Sequence, residues 1–309
     1  MLRGVSRAGA RRLAGPTIGL MTMTDNPLAK LGELTKPATV LVEKISDAVG
    51  GIFKPCQIVR VAKAEAEADR IRAESEIQVT DLHRRAMQRF FEEEAKNQSN
   101  MEEITRKALP HLKVDASPED VENDWIRNFF DKCRLVSDDE MQELWGKVLA
   151  GQANAPGGYS RRTVNLLQSL DKEDAIQFTQ LCGCGWMVGG VTLFVYDVTK
   201  RIYADMEITF GSLAHLDAIG LIRFESLAGF QRKDLPERFM VHYFGTPVIL
   251  DLKEDMDNSI SVGQVLLTQA GEELAPIAGA KANESFFGYV LQQWIKMGIN
   301  IASPVQRPT

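Results

Sequence analysis

From Gln57 to Leu109 the chain contains neither proline nor glycine and is rich in Ala, Glu and Arg. These are strong helix formers, and the two residues that most often interrupt a helix are missing. The composition therefore predicts one long helix, about 78 Å if uninterrupted at 1.5 Å per residue. Asp81/Arg85, Glu92/Lys96, Glu102/Arg106 and Glu103/Lys107 are opposite charges four residues apart, each pair contributing about 0.2–0.5 kcal/mol on an exposed helix. The apolar seam is thin. A 3-4 count from Val61 meets Ala64, Ala68, Ile71, Ser75, Gln78 and Leu82, weaker than the a and d positions of a stable two-stranded coiled coil. A helix this long with so little to bury is expected to stand exposed and to join other helices in a homo-oligomer.

Before it, Thr39–Lys54 is amphipathic, with Leu41, Ile45, Ala48, Val49 and Ile52 at helical spacing. Gly50-Gly51 weakens this helix and Pro55 stops it. Leu41, Ile45, Val49 and Ile52 are the candidate interface. Two destinations are open to them: packing against protein, or insertion into a membrane surface. The polar face carries acids as well as lysine, whereas interfacial helices favour Lys and Arg there, so packing is the expectation. No apolar run approaches the roughly 18 residues of a spanning helix.

The first 22 residues hold Arg3, Arg7, Arg11 and Arg12 and no acid. They read as a leader or as a start assigned too early, with Met21 and Met23 as later starts. The whole chain has a net charge of −6, with 44% hydrophobic and 25% charged residues. That is ordinary for a globular protein and argues against a wholly basic nucleic-acid binder, though not against a local basic patch. Four cysteines (Cys56, Cys133, Cys182 and Cys184) do not make a disulfide framework in 309 residues. Cys182-Gly-Cys184 lacks a second Cys/His pair to complete a zinc site. It reads as two small buried residues at a helix end, and a reducing cytoplasm fits.

After Pro110, cap chemistry divides the chain into short helices. Ser117-Pro118-Glu119-Asp120 is expected to open a helix anchored by Trp125 and Phe129. Ser137-Asp138-Asp139-Glu140 reads as a capping box over Met141, Leu144, Trp145, Val148 and Leu149, with Gly151 as the C-terminal cap. Ser160 and Asp171 start two more helices. Beyond Val188 the pattern changes to strands: VGGVTLFVYDV as one strand or buried loop, a short helix SLAHLDAIG, a strand at Leu221–Phe224, a hairpin FMVHYFGTPVILDL, a strand Ser261–Leu267, and a helix capped by Thr268. Helix, strand, hairpin, helix is the order of a winged-helix module. Glu284–Met297 is expected to dock as a terminal helix.

The expected fold is mainly α with a smaller α+β part: a long N-terminal helix, a small helical bundle and a C-terminal winged-helix-like module. The divisions are 1–22 (leader or non-native start), 23–57 (amphipathic segment), 58–116 (long charged helix), 117–187 (helical bundle), 188–280 (winged-helix-like module) and 281–309 (terminal helix and tail).

Several segments carry a resemblance. LVEKISDAVGGIFKP, IVRVAKAEAEADRIRAESEIQ, DDEMQELWGKVLAGQ, LQSLDKEDA, LAHLDAIGLI and LLTQAGEEL are similar to a bacterial family of uncharacterised proteins, domain-of-unknown-function family 2806. The helical block from Ser137 to Leu181 also resembles, more distantly, the Abi-alpha abortive-infection proteins. That resemblance implies a link to phage resistance. Neither resemblance supplies catalytic residues.

No catalytic constellation is legible. Gly183, Gly185, Gly189 and Gly190 lack the phosphate-loop form, and there is no G-x-S-x-G elbow. His83, His111, His215 and His242 are scattered, and acids such as Asp138 and Asp139 suit helix N-termini. The expectation is a protein without catalytic residues, metal or cofactor: an oligomeric interaction protein of bacteria with an unknown protein partner, serving phage defence. One alternative is a winged-helix regulator associated with nucleic acid through Arg223, Arg232, Lys233 and Arg238. The other is a peripheral membrane scaffold acting through Thr39–Lys54.

Overall fold

The computed structural model describes residues 34–50, 81–252 and 258–302. The segment expected to be a leader, Ile52, Cys56 and the first part of the expected long helix lie outside the described residues. The architecture is mainly helical, with small antiparallel sheets in the C-terminal half.

The helical half comprises α1 (Lys36–Val49), α2 (Asp81–Ala108), α3 (Asn123–Cys133), α4 (Asp139–Asn154), α5 (Arg161–Gln168) and α6 (Lys172–Cys182). Helix α1 ends at Gly50, whose φ of 97° gives the left-handed turn that a side chain would resist. The α2 helix passes through a 3-10 turn at Leu109–His111. It packs along α4, and the two approach closely at Gly146. A Cβ there would lie 3.0 Å from Lys107 Cβ and 3.1 Å from the Ala108 backbone nitrogen.

Three cap expectations need correction. Ser117-Pro118 opens only a 3-10 turn, Pro118–Asp120, and Ser117 makes no capping bond. The chain re-extends at Val121, which is 3% exposed, and α3 begins at Asn123. The N-cap of α4 is Asp138 rather than Ser137: one Asp138 carboxylate oxygen accepts from both Glu140 N and Met141 N at 3.0 Å. A charged acceptor with two orphan amides outcompetes a neighbouring hydroxyl. Gly151 does not end α4, which runs on to Asn154. The Tyr159 ring occupies the space a Cβ would need, 2.4 Å from its ideal position. Gly151 is thus a packing glycine. Ser160 does cap α5, accepting from Thr163 N at 3.2 Å. The Asp174 carboxylate accepts from Asp171 N at 2.9 Å at the start of α6.

The C-terminal half contains β1 (Gly185–Met187), β2 (Val191–Leu193), α7 (Arg201–Ala204), α8 (Phe210–Ala218), β3 (Ile222–Phe224), β4 (Phe230–Arg232), β5 (Arg238–Tyr243), β6 (Thr246–Asp251), β7 (Ile260–Gly263), β8 (Val265–Leu267), α9 (Gln269–Leu274), α10 (Glu284–Lys296) and β9 (Asn300–Ala302). Five strands form one sheet in the order β2-β1-β5-β6-β9. The expected hairpin is present as β5–β6, with Thr246 and Pro247 already in β6. Phe244 and Gly245 both have positive φ, 44° and 85°, between the paired residues Tyr243 and Thr246. Two such central residues match the twist of the flanking strands.

Two strand expectations are revised. The stretch from Val188 contributes to a β1–β2 hairpin that turns through Gly189-Gly190. Ser261–Leu267 is split into β7, which pairs with β4, and β8, which pairs with β3. The break falls at Gly263, φ 89°, where a Cβ would lie 2.0 Å from Val195 O. Backbone meets backbone there, with Gln264 N donating to Val195 O at 2.6 Å.

The LLTQAGEEL segment forms the end of β8 and α9. Thr268 Oγ1 accepts from Gly271 N at 3.1 Å and lies 2.7 Å from Gly220 O, to which it donates. A Cβ on Gly271 would sit 2.1 Å from Leu221 O. Thr268 and Gly271 therefore join α9 to the end of α8 and the start of β3. The buried apolar residues form one continuous cluster running from Leu41 to Ile299. In the C-terminal half it centres on Trp186, whose ring lies 4.7 Å from Trp294, 4.9 Å from Tyr243 and 5.4 Å from Phe287, centroid to centroid.

Candidate functional site

The amphipathic stripe of α1 is covered by the chain itself. Leu41 and Ile45 are fully buried and Val49 is half-buried; Ile52 lies outside the described residues. Helix α1 lies on α3 and on the Pro118–Asp120 turn. Arg127 Nε donates to Ala48 O at 2.9 Å, and Lys44 Nζ donates to Glu119 O at 2.8 Å. Leu41 and Ile45 are therefore not at the surface on which a membrane could act.

The four basic candidates are distributed over three sheets. Arg223 is exposed on β3. Arg232, on β4, donates to Thr192 Oγ1 at 3.0 Å and lies against the Gly189 turn. Lys233 follows it and is exposed. Arg238, on β5, pairs at 3.2 Å with Asp251, its cross-strand partner. Arg232 is thus tied to its own protein, whereas Arg223, Lys233 and the ion-paired Arg238 face solvent.

The outward face of α8 carries Gly211, Ala214, His215, Asp217 and Ala218. Beside it lies an open polar cleft of about 260 Å³, lined by Glu173, Gln177, Glu207, Ser212 and His215 among others. His215 Nε2 lies 2.6 Å from Asp174 Oδ1. Ser212, one turn earlier, is engaged elsewhere: its hydroxyl accepts from Thr209 N at 2.9 Å and donates to Thr209 O at 3.0 Å. The His–Asp contact ties α8 to α6, and the serine caps α8. Both groups are thus used to build the fold.

Burial pushes the thiols of Cys133, Cys182 and Cys184 up, away from the reactive thiolate. Cys182 and Cys184 flank the end of α6 and are buried, as the sequence suggested. Among the described residues no group of three or more His, Cys, Asp and Glu could hold a metal, and no helix is long and apolar enough to cross a membrane.

Two surfaces escaped sequence reasoning. One is an apolar cleft of about 280 Å³ between α4, α6 and the end of α9, lined by Met141, Leu144, Leu170, Ile176, Leu274 and Ile277. It assembles only when three separate helices meet, so no local pattern announces it. The other is the first half of α2. Residues 81–96 are exposed throughout, whereas Met101, Ile104 and Ala108 are buried in the core. Leu82, Met87, Phe90 and Phe91 are 65%, 45%, 62% and 57% exposed. Leu82, Ala86 and Phe90 recur every four residues, with Met87 and Phe91 beside them, a stripe of which the count from Val61 reached only the first residue.

Fold and surface together define a mainly helical protein with small antiparallel sheets that, among the described residues, exposes an apolar helix stripe. The chain belongs to the DUF2806 family, proteins of unknown function, whose profile matches residues 84–291. No curated protein and no solved structure matches the chain.

Proposed function

We propose that this is a non-enzymatic interaction protein of bacteria that works as an oligomer and serves phage defence. One observation carries the reading: four large apolar side chains stand in solvent on the projecting half of α2. Exposed single hydrophobics are unremarkable, but a contiguous stripe that no other described residue covers marks an interaction surface. The defence role is supported by the resemblance of Ser137–Leu181 to Abi-alpha abortive-infection proteins. Phage plating on isogenic strains with and without the gene tests it. Reduced plaque counts or altered survival are expected for part of a broad phage panel; equal counts and equal survival across the panel would remove the defence role. A cytoplasmic location is part of the same proposal.

We also propose that residues 188–280 form a winged-helix-like module. Its support is the order α8, β3, β8, α9, with Thr268 and Gly271 closing the unit. Between β3 and β8 the chain leaves to build the β5–β6 hairpin of the larger sheet, so a wing would rest on β3–β8 and β4–β7. Recognition helices present Arg, Lys, Asn or Gln to DNA, and the outward face of α8 offers none. The nucleic-acid alternative therefore rests on exposed Arg223, Lys233 and Arg238. It predicts binding that weakens with salt and is lost on Arg223→Glu with Lys233→Glu; salt-insensitive or absent binding by the unaltered protein ends it.

A further inference from the structure

The projecting half of α2 carries its charges in two blocks. Residues 81–89 hold Asp81, Arg84, Arg85 and Arg89; residues 90–96 hold Glu92, Glu93, Glu94 and Lys96. The first block is net positive by two charges and the second net negative by two. Some of this charge is already paired within the helix: Arg85 with Asp81 at 3.1 Å, and Arg89 with Glu93 at 3.5 Å. All of these groups are exposed, so a second layer of pairing remains open to them.

We infer that the occupant of the α2 stripe is a second copy of the same helix, laid antiparallel about a two-fold axis. The inference rests on the interaction reading above and names its partner. In a two-fold contact the same patch meets itself, and residue i meets j as j meets i. Antiparallel alignment sets the basic block of one copy against the acidic block of the other, twice. Parallel alignment sets like against like along the whole length. The charge distribution thus selects one orientation, while Leu82, Ala86, Met87, Phe90 and Phe91 supply the apolar seam. The geometry permits it. The exposed stretch is about 24 Å long at 1.5 Å per residue, and the core begins only after it, so the two bodies lie at opposite ends of the paired helices. Phe90 and Phe91, edge to face at 5.9 Å, fall near the middle of the overlap.

The test uses the full chain. Light scattering over a range of concentrations and salt is expected to give twice the 34.4 kDa chain mass, with dissociation favoured by dilution and by salt. Phe90→Ser with Phe91→Ser is expected to give the single-chain mass with unchanged helix content, because both residues are exposed. A six-fold reversal (R84E, R85E, R89E, E92R, E93R, E94R) is decisive for orientation. Antiparallel pairing predicts that the reversed chain pairs with itself and that its exchange with the wild-type chain falls to background. A parallel pair would instead favour the mixed species, and free mixing of the two chains would overturn the antiparallel arrangement. An oligomer whose mass none of these variants changes overturns this inference and leaves the interaction reading standing. A monomer at every concentration overturns the self-pairing. Liposome flotation of the wild type that is abolished by the Phe90/Phe91 variant overturns it too, by giving the stripe to a lipid surface.

Discussion

At the scale of single residues, the glycines carry more of the fold than the sequence discloses. Gly271 and Gly288 both sit inside helices, and nothing local distinguishes them. Gly271 has Leu221 O where its Cβ would be, while a Cβ on Gly288 meets nothing within 4 Å. Gly271→Ala is therefore expected to destabilise by about 1–3 kcal/mol, the usual range for forcing atoms into a packed interior. Gly288→Ala is expected to stabilise by about 0.5–1 kcal/mol through reduced backbone entropy of the unfolded chain. Denaturant titration checks both, and equal midpoints for the two variants would refute the close-approach account. A second residue-scale prediction concerns Glu102 on α2. Burial pushes its carboxyl above the ordinary value of 4.5, against a bond from Gln98 that lowers it. A raised folded pKa means that the folded state holds the proton more tightly than the unfolded one. Glu102 therefore subtracts stability as pH rises from about that value through its folded value. Its neighbour Glu103 behaves oppositely: the Arg106 guanidinium holds it low, a contribution present at neutral pH and lost as pH falls. Glu102→Gln keeps an acceptor for Gln98 and should raise the unfolding midpoint at pH 7 but not at pH 4. A gain of equal size at both pH values would contradict the burial argument.

At the scale of elements, patterns with a period were legible and patterns of contact were not. The terminal helix was expected at Glu284–Met297 and is found at Glu284–Lys296, because Asn283 caps it and Phe286, Val290 and Trp294 recur on one face. Thr268 capping and the β5–β6 hairpin were readable for the same reason: each is decided by side chains within a few residues. Ser261–Leu267 was misread as one strand because its interruption is imposed by Val195, far away in sequence. Gly151 was misread as a stop because Tyr159 folds back over it. Helix α1 shows the limit most clearly. Its amphipathicity was plain, but an apolar stripe does not say what covers it. The answer, α3 and its preceding turn, makes Ile45 a core residue. Ile45→Ala should cost about 2–5 kcal/mol, read as a drop in thermal or denaturant stability. A cost near zero would mean that α1 detaches freely in solution.

At the scale of the molecule, the divisions drawn along the chain do not coincide with separate cores. Trp125 and Trp145 lie in the helical half and Trp186 and Trp294 in the C-terminal half, yet all four belong to one continuous buried cluster. Unfolding followed by fluorescence is therefore expected to give coincident transitions whether Trp125 and Trp145 or Trp186 and Trp294 are replaced by Phe; two separated transitions would show two independently folding units. The sequence by itself determined most of the helices, several caps and the mainly α balance, since these depend on interactions between residues a few positions apart. It also carried the family resemblance. What only the tertiary structure decided was use: which apolar stripe is core and which is surface, and which arginine is free and which is tied. The Leu41/Ile45 stripe and the Leu82/Phe90 stripe look alike in a periodicity count. The first is buried and the second is exposed, because burial is settled by elements that meet from distant parts of the chain, and that meeting is not written in any local spacing.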